Sequence, residues 1–471
     1  MTDVASSVRT LANHVGGAWR DAATQEALLS RNPATGEALA RVPLSTAADV
    51  DVAVQAARAA FPGWRATSPV VRARAVMALR EKLAAHRDEL AAIVHADMGK
   101  TLADAGGEVG RGIESTEAAT AVPHLLKGEN LEGVANGVDV ELVRQPVGVV
   151  AAITPFNFPA MIPLWFLPFA VACGNTVVLK PSERDPLAGE RIVELAEGVF
   201  PPGVVNLLHG GRDAVDGLLD HPEVDAISFV GSAAVARHVY ARAAQNGKRV
   251  QALGGAKNAM VVMPDAHPDV MASGVAASAF GAAGQRCLAG SVALLVGTPA
   301  EQDAARDRIV AAAATAETSP MIDPAARERV EAELDGVPLL VDGRCGGGAA
   351  GAELGPTVVE PRDVEGRLAR EELFGPVLSL VRAPTLPAAV DWINAGRYGN
   401  AAVIFTTSGA AARAFRATVD AGMLGVNVGV AAPVAWFPFS GWKDSMAGDL
   451  HANGRDAIEF YTRKKVVTTR W

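Results

Sequence analysis

The run FGAAGQRCLAG, residues 280–290, sets a single sulfur among small side chains, with an arginine directly before it. Cysteine serves most often as a small core residue. A nucleophilic thiol needs room for a ligand and nearby positive charge that favours the thiolate. Gly284, Ala289 and Gly290 leave that room around Cys287, and Arg286 supplies the charge. No histidine lies close in sequence, so a thiol–imidazole dyad is not readable here, and one assembled in space stays open. The other two cysteines read differently. Cys173, in AVACGNTVV, lies inside an apolar run and reads as an inert core thiol, while Cys345, beside three glycines, reads as exposed loop.

Two further stretches could hold a ligand. VVLKPSERDP closes an apolar run on Lys180, with Glu183 three residues later. At the carboxyl end of a parallel strand these side chains can reach a ribose; on a solvated loop they would contact only water. FVGSAAVARHVY passes from a buried run through Gly231 and Ser232 into a helical pattern. Free N–H groups and the positive dipole end of such a helix suit a pyrophosphate, although an ordinary strand-to-helix turn has the same form.

Two familiar signatures are present only in part. GGGAAG, residues 346–351, has the G-x-G-x-x-G spacing, and Glu371 follows twenty residues later. The glycines must open a helix for that fingerprint to count. Here AELGPTVVEP follows, with a proline and β-branched residues, so the segment reads as a hairpin or surface loop. MGKT, residues 98–101, has the end of a P-loop, but Val94 stands where the first glycine belongs, and the motif is rejected.

The elements that must position these residues follow from the rest of the chain. A length of 471 residues exceeds a single core and implies two or three domains. Net charge is −9 and diffuse, which argues against a nucleic-acid surface, since phosphate binding wants a dense basic face. Three widely spaced cysteines without a CxxC pair exclude zinc ribbons and thioredoxin-type sites, and no metal site is expected. A reducing compartment, the cytoplasm, is expected, and the N-terminus shows no signal peptide. Between Arg144 and Lys180 no residue is charged, a length that could span a bilayer. Five prolines in that stretch would remove helix hydrogen bonds repeatedly, so buried strands around a short helix are expected instead.

STAADVDVAVQAARAAFPGW predicts a helix opening at Ser45 or Thr46 and stopping at Pro62. PVVRARAVMALREKLAAHRDELAAIVHADMGK predicts one long helix ending at Gly99. From VGVVAAI to VDAISFVGS, β-branched runs alternate with helix-length segments. Strands with no polar face mean a parallel sheet covered on both sides, a doubly wound α/β domain of the kind that holds nucleotides at strand carboxyl ends. The alternation resumes with SVALLVG, GNAAVIFTTS and MLGVNVG, a second α/β half that contains Cys287. The tail DAIEFYTRKKVVTTRW reads as a strand pairing with another chain.

With TPFNFP, KPSE, FVGS, Cys287, EELFGPV and GVNVG in this order, the chain resembles the aldehyde dehydrogenase superfamily over nearly its whole length. NGKRVQALGGAKNAMVVMPDA and FPFSGWKDSMAGDLHANGRDAIEFYTRKKVV look like its CoA-acylating methylmalonate-semialdehyde dehydrogenase branch. The resemblance implies two doubly wound α/β domains with a small β oligomerisation arm. Residues 1–122 and 145–253 would bind NAD, residues 254–450 would carry the catalytic cysteine, and residues 123–144 and 455–471 would form the arm, giving a homodimer or homotetramer. It implies that the Cys287 thiolate attacks the aldehyde, that Asn157 and the Cys287 N–H hold the oxyanion, and that hydride leaves to NAD. Lys180 and Glu183, with Phe156, Arg184, Gly231 and Ser232, correspond to cofactor contacts, as do Glu372 and Phe374. Arg111 and Arg286 match the arginines that hold a substrate carboxylate; without the resemblance, Arg111 reads equally as an exposed helix residue.

One departure bears on the acyl acceptor. Most of the superfamily has a glutamate two residues before the paired glycines as a base for hydrolysis; this chain has Ala252. Loss of general-base help costs water attack roughly 10²–10⁴-fold, whereas a thiol is intrinsically nucleophilic. Coenzyme A is therefore the expected acceptor, with carbon dioxide released from a 3-oxo acid, and a hydrolytic enzyme with a relocated base is the alternative. No nucleic acid or membrane partner is expected.

Overall fold

The computed structural model describes residues 8–344 and 346–471, so the reading of Cys345 lies outside the described residues. The uncharged β-branched runs sit where both sheet faces are covered, as strands lacking a polar face require. Val205–Leu207, Thr176–Lys180, Val149–Ile153, Ala226–Val230 and Arg249–Leu253 lie side by side in that order. All four pairings among them are parallel. Numbered along the chain the order is 3-2-1-4-5, so winding reverses between Val149–Ile153 and Ala226–Val230. That reversal opens a crevice at the strand carboxyl ends. Asn13–Val15 with Ala18–Arg20 extends one edge antiparallel, and Met446–Ala447 extends the other.

A second sheet runs Thr357–Val359, Val377–Ala383, Gly290–Val296, Asn258–Val262, Ala401–Phe405 and Met423–Val426, all parallel. Leu339–Val341 closes one edge antiparallel. Residues 254–257 alone join Arg249–Leu253 to Asn258–Val262. The short link sets the carboxyl ends of the first sheet against the amino ends of the second.

The uncharged stretch becomes the strand Val149–Ile153, the helix Met161–Cys173 and the strand Thr176–Lys180, with every residue of all three buried. Among the described residues no helix is long and apolar enough to cross a membrane. Residues 346–351 form turns, with a single bridge from Gly347 to Glu353, as the proline-rich continuation predicts.

Three expectations are corrected. The helix Ala47–Ala66 opens after Thr46 but runs through Pro62. Its last turn is held from outside: the Trp64 indole, buried, donates to the Val171 carbonyl at 2.9 Å. The long helix is two, Pro69–Ala85 and Arg87–Met98, broken at His86, whose backbone leaves helical geometry (φ −111°, ψ 21°). The terminal strand Thr462–Arg470 pairs within its own chain, antiparallel to Val138–Pro146 from Thr462 opposite Pro146 to Arg470 opposite Val138. Glu129–Ala135 completes this three-stranded sheet through a turn at Asn136 and Gly137 (φ +68°), a dipeptide suited to two-residue hairpins.

The helix Gly454–Tyr461, which leads into this strand, is fixed to the first sheet of the same chain. Fully buried Asn175 donates to the Ala170 and Tyr461 carbonyls, both at 3.0 Å, and accepts from the Gly148 N–H at 2.9 Å. The Tyr461 hydroxyl meets Ser228 at 2.8 Å inside the first sheet. Asn175→Ala leaves the buried Gly148 N–H without its acceptor and removes one donor each from the Ala170 and Tyr461 carbonyls, which keep backbone donors. We expect a loss of about 2–4 kcal/mol in urea unfolding, read as a lower midpoint with an unchanged slope; a shift below about 0.5 kcal/mol would refute this account of the tail.

Candidate active site

A run of left-handed backbone lies just before the sulfur. Ala282, Ala283 and Gly284 take positive φ in succession (51°, 54° and 64°). Such geometry at alanine costs roughly 1–3 kcal/mol per residue and persists only where neighbours over-determine it. The Thr318 hydroxyl does part of this, accepting from the Ala283 N–H at 3.1 Å and donating to the Phe280 carbonyl at 2.6 Å. A Cβ at Gly284 would stand 2.4 Å from the Gly375 carbonyl oxygen, so that position admits only glycine. The turn ends in Arg286 and Cys287, both partly exposed, ahead of the strand Gly290–Val296.

The Cys287 carbonyl accepts from the side-chain amides of Asn258 at 2.9 Å and Asn400 at 2.8 Å. Asn258 also donates to Ala289 and accepts from the Ala401 N–H, so it fastens the sulfur's loop to two strand starts. Neither asparagine stands out in sequence; only the return of the chain to the same sheet edge brings them to the cysteine.

Cys287 opens onto a cavity of about 290 Å³. Phe158, Met161, Trp165 and Phe439 form apolar walls, with the Trp165 and Phe439 rings 4.7 Å apart. Both sequence-predicted arginines reach this cavity. Arg111 uses part of its fork on Glu114 at 2.9 Å and the Pro433 carbonyl at 2.6 Å. Arg286 donates to the Ala277 and Ser278 carbonyls, and its Nε has no partner among the described residues. Five N–H donors per guanidinium leave capacity on each for an anion.

Burial pushes the Cys287 thiol up to about 12, and the Glu372 carboxylate adds to the shift; a backbone hydrogen bond, Arg286 and Lys100 pull it down by less. Arg286 favours the thiolate, as expected, but by less than burial opposes it. In the free protein desolvation outweighs the adjacent charge, and the thiol is neutral. Cys173 is fully buried, its thiol likewise pushed to about 12 by burial.

Asn157 is 4 % exposed, between the strand Val149–Ile153 and the helix Met161–Cys173. Its carboxamide makes no hydrogen bond to any described residue, while its backbone carbonyl accepts from Lys100 Nζ at 2.6 Å. Lys100 also pairs with Glu108 at 2.6 Å, both side chains essentially inaccessible. This pair comes from the rejected MGKT motif and from the helix Leu102–Ala119. The available signal was Glu108 falling in register with Ala105, Val109 and Gly112 on the buried stripe of that helix.

The remaining predicted residues gather at the sheet seam. Lys180 Nζ meets Glu183 at 2.8 Å at the end of Thr176–Lys180. Burial raises the Glu183 pKa, but the Lys180 charge and hydrogen bond, together with a backbone hydrogen bond and the Arg184 charge, outweigh it and hold the carboxyl below its ordinary value. Gly231 and Ser232 lead into the helix Ala233–Gln245, whose first N–H groups no side chain caps; the Ser232 side chain is exposed. The Phe156 and Phe374 rings meet edge to face at 5.8 Å, and the exposed Arg184 lies 5.5 Å over Phe156. Phe374 takes a positive φ of 55°. Glu372 accepts from the Ala256 N–H at 2.9 Å, and desolvation lifts it to about 7. Ala252 is fully buried in Arg249–Leu253, so no acid occupies that position.

A family profile described as "Aldehyde dehydrogenase family" matches residues 19–467. A malonate-semialdehyde dehydrogenase of Geobacillus kaustophilus is 48% identical over 98% of both chains, and one of Halalkalibacterium halodurans is 45% identical over 98% of both. Among solved structures, a protein assigned as a methylmalonate-semialdehyde dehydrogenase of Sinorhizobium meliloti, complexed with NAD, superposes with a TM-score of 0.96 at 40% identity, covering 99% of each chain. The methylmalonate-semialdehyde dehydrogenase of Oceanimonas doudoroffii gives 0.93 at 42%, covering 98% and 99%.

The neutral thiol has a direct readout. Alkylation of Cys287 by iodoacetamide, followed by mass spectrometry of its peptide, should rise about tenfold per pH unit from pH 7 to 10, because only the thiolate reacts. A plateau below pH 8 would contradict it.

Proposed function

The chain belongs to the aldehyde dehydrogenase family, and on that premise we propose that it oxidises a small semialdehyde acid of the malonate- or methylmalonate-semialdehyde type, with NAD as oxidant and coenzyme A as acyl acceptor. The observation that carries this is one cavity holding Cys287 together with Arg111 and Arg286. The malonate- and methylmalonate-semialdehyde dehydrogenases similar to this chain support the substrate class.

The residues at the seam fit a dinucleotide. An uncapped helix N-terminus at Gly231 and Ser232 offers N–H donors for a pyrophosphate. Lys180 and Glu183 would take the adenosine ribose, and the charge on Glu183 repels a 2′-phosphate, which favours NAD over NADP. Glu372 and Phe374, with Phe156 and Arg184 beside them, would hold the nicotinamide-ribose end. When bound, NAD supplies the oxidation by accepting hydride from the carbon attached to sulfur.

The chain's own groups do the rest. Arg111 and Arg286 take the substrate carboxylate in their uncommitted donors. The Cys287 thiol gives up its proton to solvent, and the thiolate attacks the aldehyde carbon, forming a carbon–sulfur bond while the carbonyl electrons move to oxygen. The Asn157 carboxamide and the Cys287 N–H stabilise that oxyanion, each such donor being worth roughly 10²–10³ in rate. Oxidation leaves a thioester on Cys287. With alanine at 252, water has no base there to prime it, and the thiol of coenzyme A, intrinsically nucleophilic, displaces the sulfur. For malonate semialdehyde the thioester also loses its carboxylate as carbon dioxide and the resulting enolate takes up the proton released from the thiol, so semialdehyde, NAD and coenzyme A give acetyl-CoA, carbon dioxide and NADH.

We assign residues 1–122 and 145–253 to the cofactor half, 254–450 to the cysteine half, and 123–144 with 455–471 to an arm that joins subunits of a homo-oligomer. Free thiols at Cys173 and Cys287 suit a reducing cytoplasm. Both edges of the arm's sheet, Glu129–Ala135 and Thr462–Arg470, are exposed, and unpaired edges are templates for another chain. Sedimentation at micromolar concentration should show dimers or tetramers; monomer alone would count against the arm.

With malonate semialdehyde and NAD but no coenzyme A, the protein should release about one NADH per subunit and stop, since the thioester persists without a base. Adding coenzyme A should restore turnover and yield acetyl-CoA. Sustained NADH release without it would defeat the acceptor assignment.

A further inference from the structure

Gly99, at φ +82°, ends the helix Arg87–Met98 in a left-handed turn. A Cβ there would stand 2.9 Å from Pro320 and 3.2 Å from Pro33, so the chain turns in a space that only glycine fills. Lys100 follows immediately, and Thr101 caps the next helix by accepting from the Asp104 N–H at 3.1 Å. Lys100 therefore enters the core between two fixed helix ends, with its side chain 1 % exposed.

Three contacts surround its ammonium. Glu108 Oε2 and the Asn157 carbonyl oxygen each lie at 2.6 Å, and the Phe158 ring centroid lies at 3.8 Å. The other Glu108 oxygen accepts from the Ala160 N–H at 2.8 Å and the Met161 N–H at 3.1 Å, at the start of the helix Met161–Cys173. One ion pair thus grips both sides of a turn: the lysine holds its carbonyl at Asn157, and the glutamate holds the amides three and four residues later. A charge pair this deeply buried is a poor device for stability alone, because desolvation offsets much of its attraction. It is a good device for fixing a backbone, since each charged group adds strong hydrogen bonds of defined direction.

We infer that the Lys100/Glu108 pair is a positioning device that sets the Asn157 carboxamide where a tetrahedral oxyanion on Cys287 would need it. Both charged side chains and Phe158 line the same cavity as Cys287, so the clamp and the sulfur share one wall. Oxyanion donors act only if they are in place before charge develops, and a displacement of about 1 Å can cost on the order of 10² in rate. The inference rests on the oxyanion role proposed for Asn157.

The test is a double-mutant cycle on the full-length protein. Lys100→Met combined with Glu108→Gln removes both charges together, so neither is stranded, and the glutamine oxygen still accepts the two helix amides. This clamp variant, Asn157→Ala, and their combination are compared in the single-turnover NADH burst with saturating NAD. The clamp variant should lose on the order of 10²-fold in burst rate, with the apparent KM for NAD unchanged. In the Asn157→Ala background the same change should cost less than about threefold, because groups acting through one another are not additive. Iodoacetamide alkylation of Cys287, which forms no oxyanion, should fall less than about tenfold, separating the clamp from Lys100's direct charge effect on the thiol. Where the clamp variant unfolds, Glu108→Asp, which keeps both charges but draws the carboxylate back by one methylene, carries the same cycle. Full additivity with Asn157→Ala, or a parallel loss of alkylation, would overturn the inference. An undiminished burst in Asn157→Ala would overturn the oxyanion role itself, and the inference with it.

Discussion

At the Cys287 sulfur, burial and the Glu372 carboxylate oppose charge while a backbone N–H, Arg286 and Lys100 favour it, and the opposition wins in the free protein. The same low-polarity surroundings that suppress the thiolate strengthen every dipole aimed at a developing oxyanion. A site of this kind holds its nucleophile in reserve and depends on geometry rather than on a standing thiolate. Geometry is what the surrounding chain provides: two asparagine amides on the Cys287 carbonyl, left-handed turns at Ala282 to Gly284, and an ion pair gripping the Asn157 turn.

The two sheets explain why so many fixed groups converge. Strand carboxyl ends in the first sheet deliver Asn157, Lys180 and Gly231, and strand amino ends in the second deliver Cys287, Asn258, Glu372 and Asn400. A single sheet could present only one of these edges to a ligand. Linking them through residues 254–257 makes a seam at which a dinucleotide and an aldehyde can be addressed from opposite sides.

Much of this was legible in the chain, for physical reasons. The uncharged β-branched runs could only be buried parallel strands, and proline density excluded a spanning helix between Arg144 and Lys180. The ordered motifs also pointed to Cys287, Arg111 and Arg286, which the fold brings to one cavity. What stayed hidden depended on distance in sequence. Pro62 looked like a stop because its helix is completed by Val171, over a hundred residues away. The terminal strand was read as pairing with another chain, because its own partner Val138–Pro146 and the contacts of Asn175 and Ser228 with Tyr461 lie far away in sequence. The Cys287 pKa could not be read from Arg286 alone, since burial is a property of the folded cavity. Lys100 was set aside with a broken P-loop motif, although Glu108 on a buried stripe demanded a cation.

The cavity's charges constrain the substrate further. Its lining holds Lys100, Arg111 and Arg286 against Asp104, Glu108 and Glu114, three of each sign. A substrate carboxylate therefore enters a nearly neutral space and brings net negative charge toward a thiol that must itself become an anion. Like charges at close range would raise that thiol further. The carboxylate of the proposed substrate would be tolerable only where uncommitted guanidinium donors neutralise it, as Arg111 and Arg286 could, with the aldehyde end left for the sulfur. Alanine at 252 fits the same logic, because a glutamate there would add another negative group to a site already working against ionisation. Alanine at 252 and the acidic substrate proposed for the cavity are both compatible with that one electrostatic constraint.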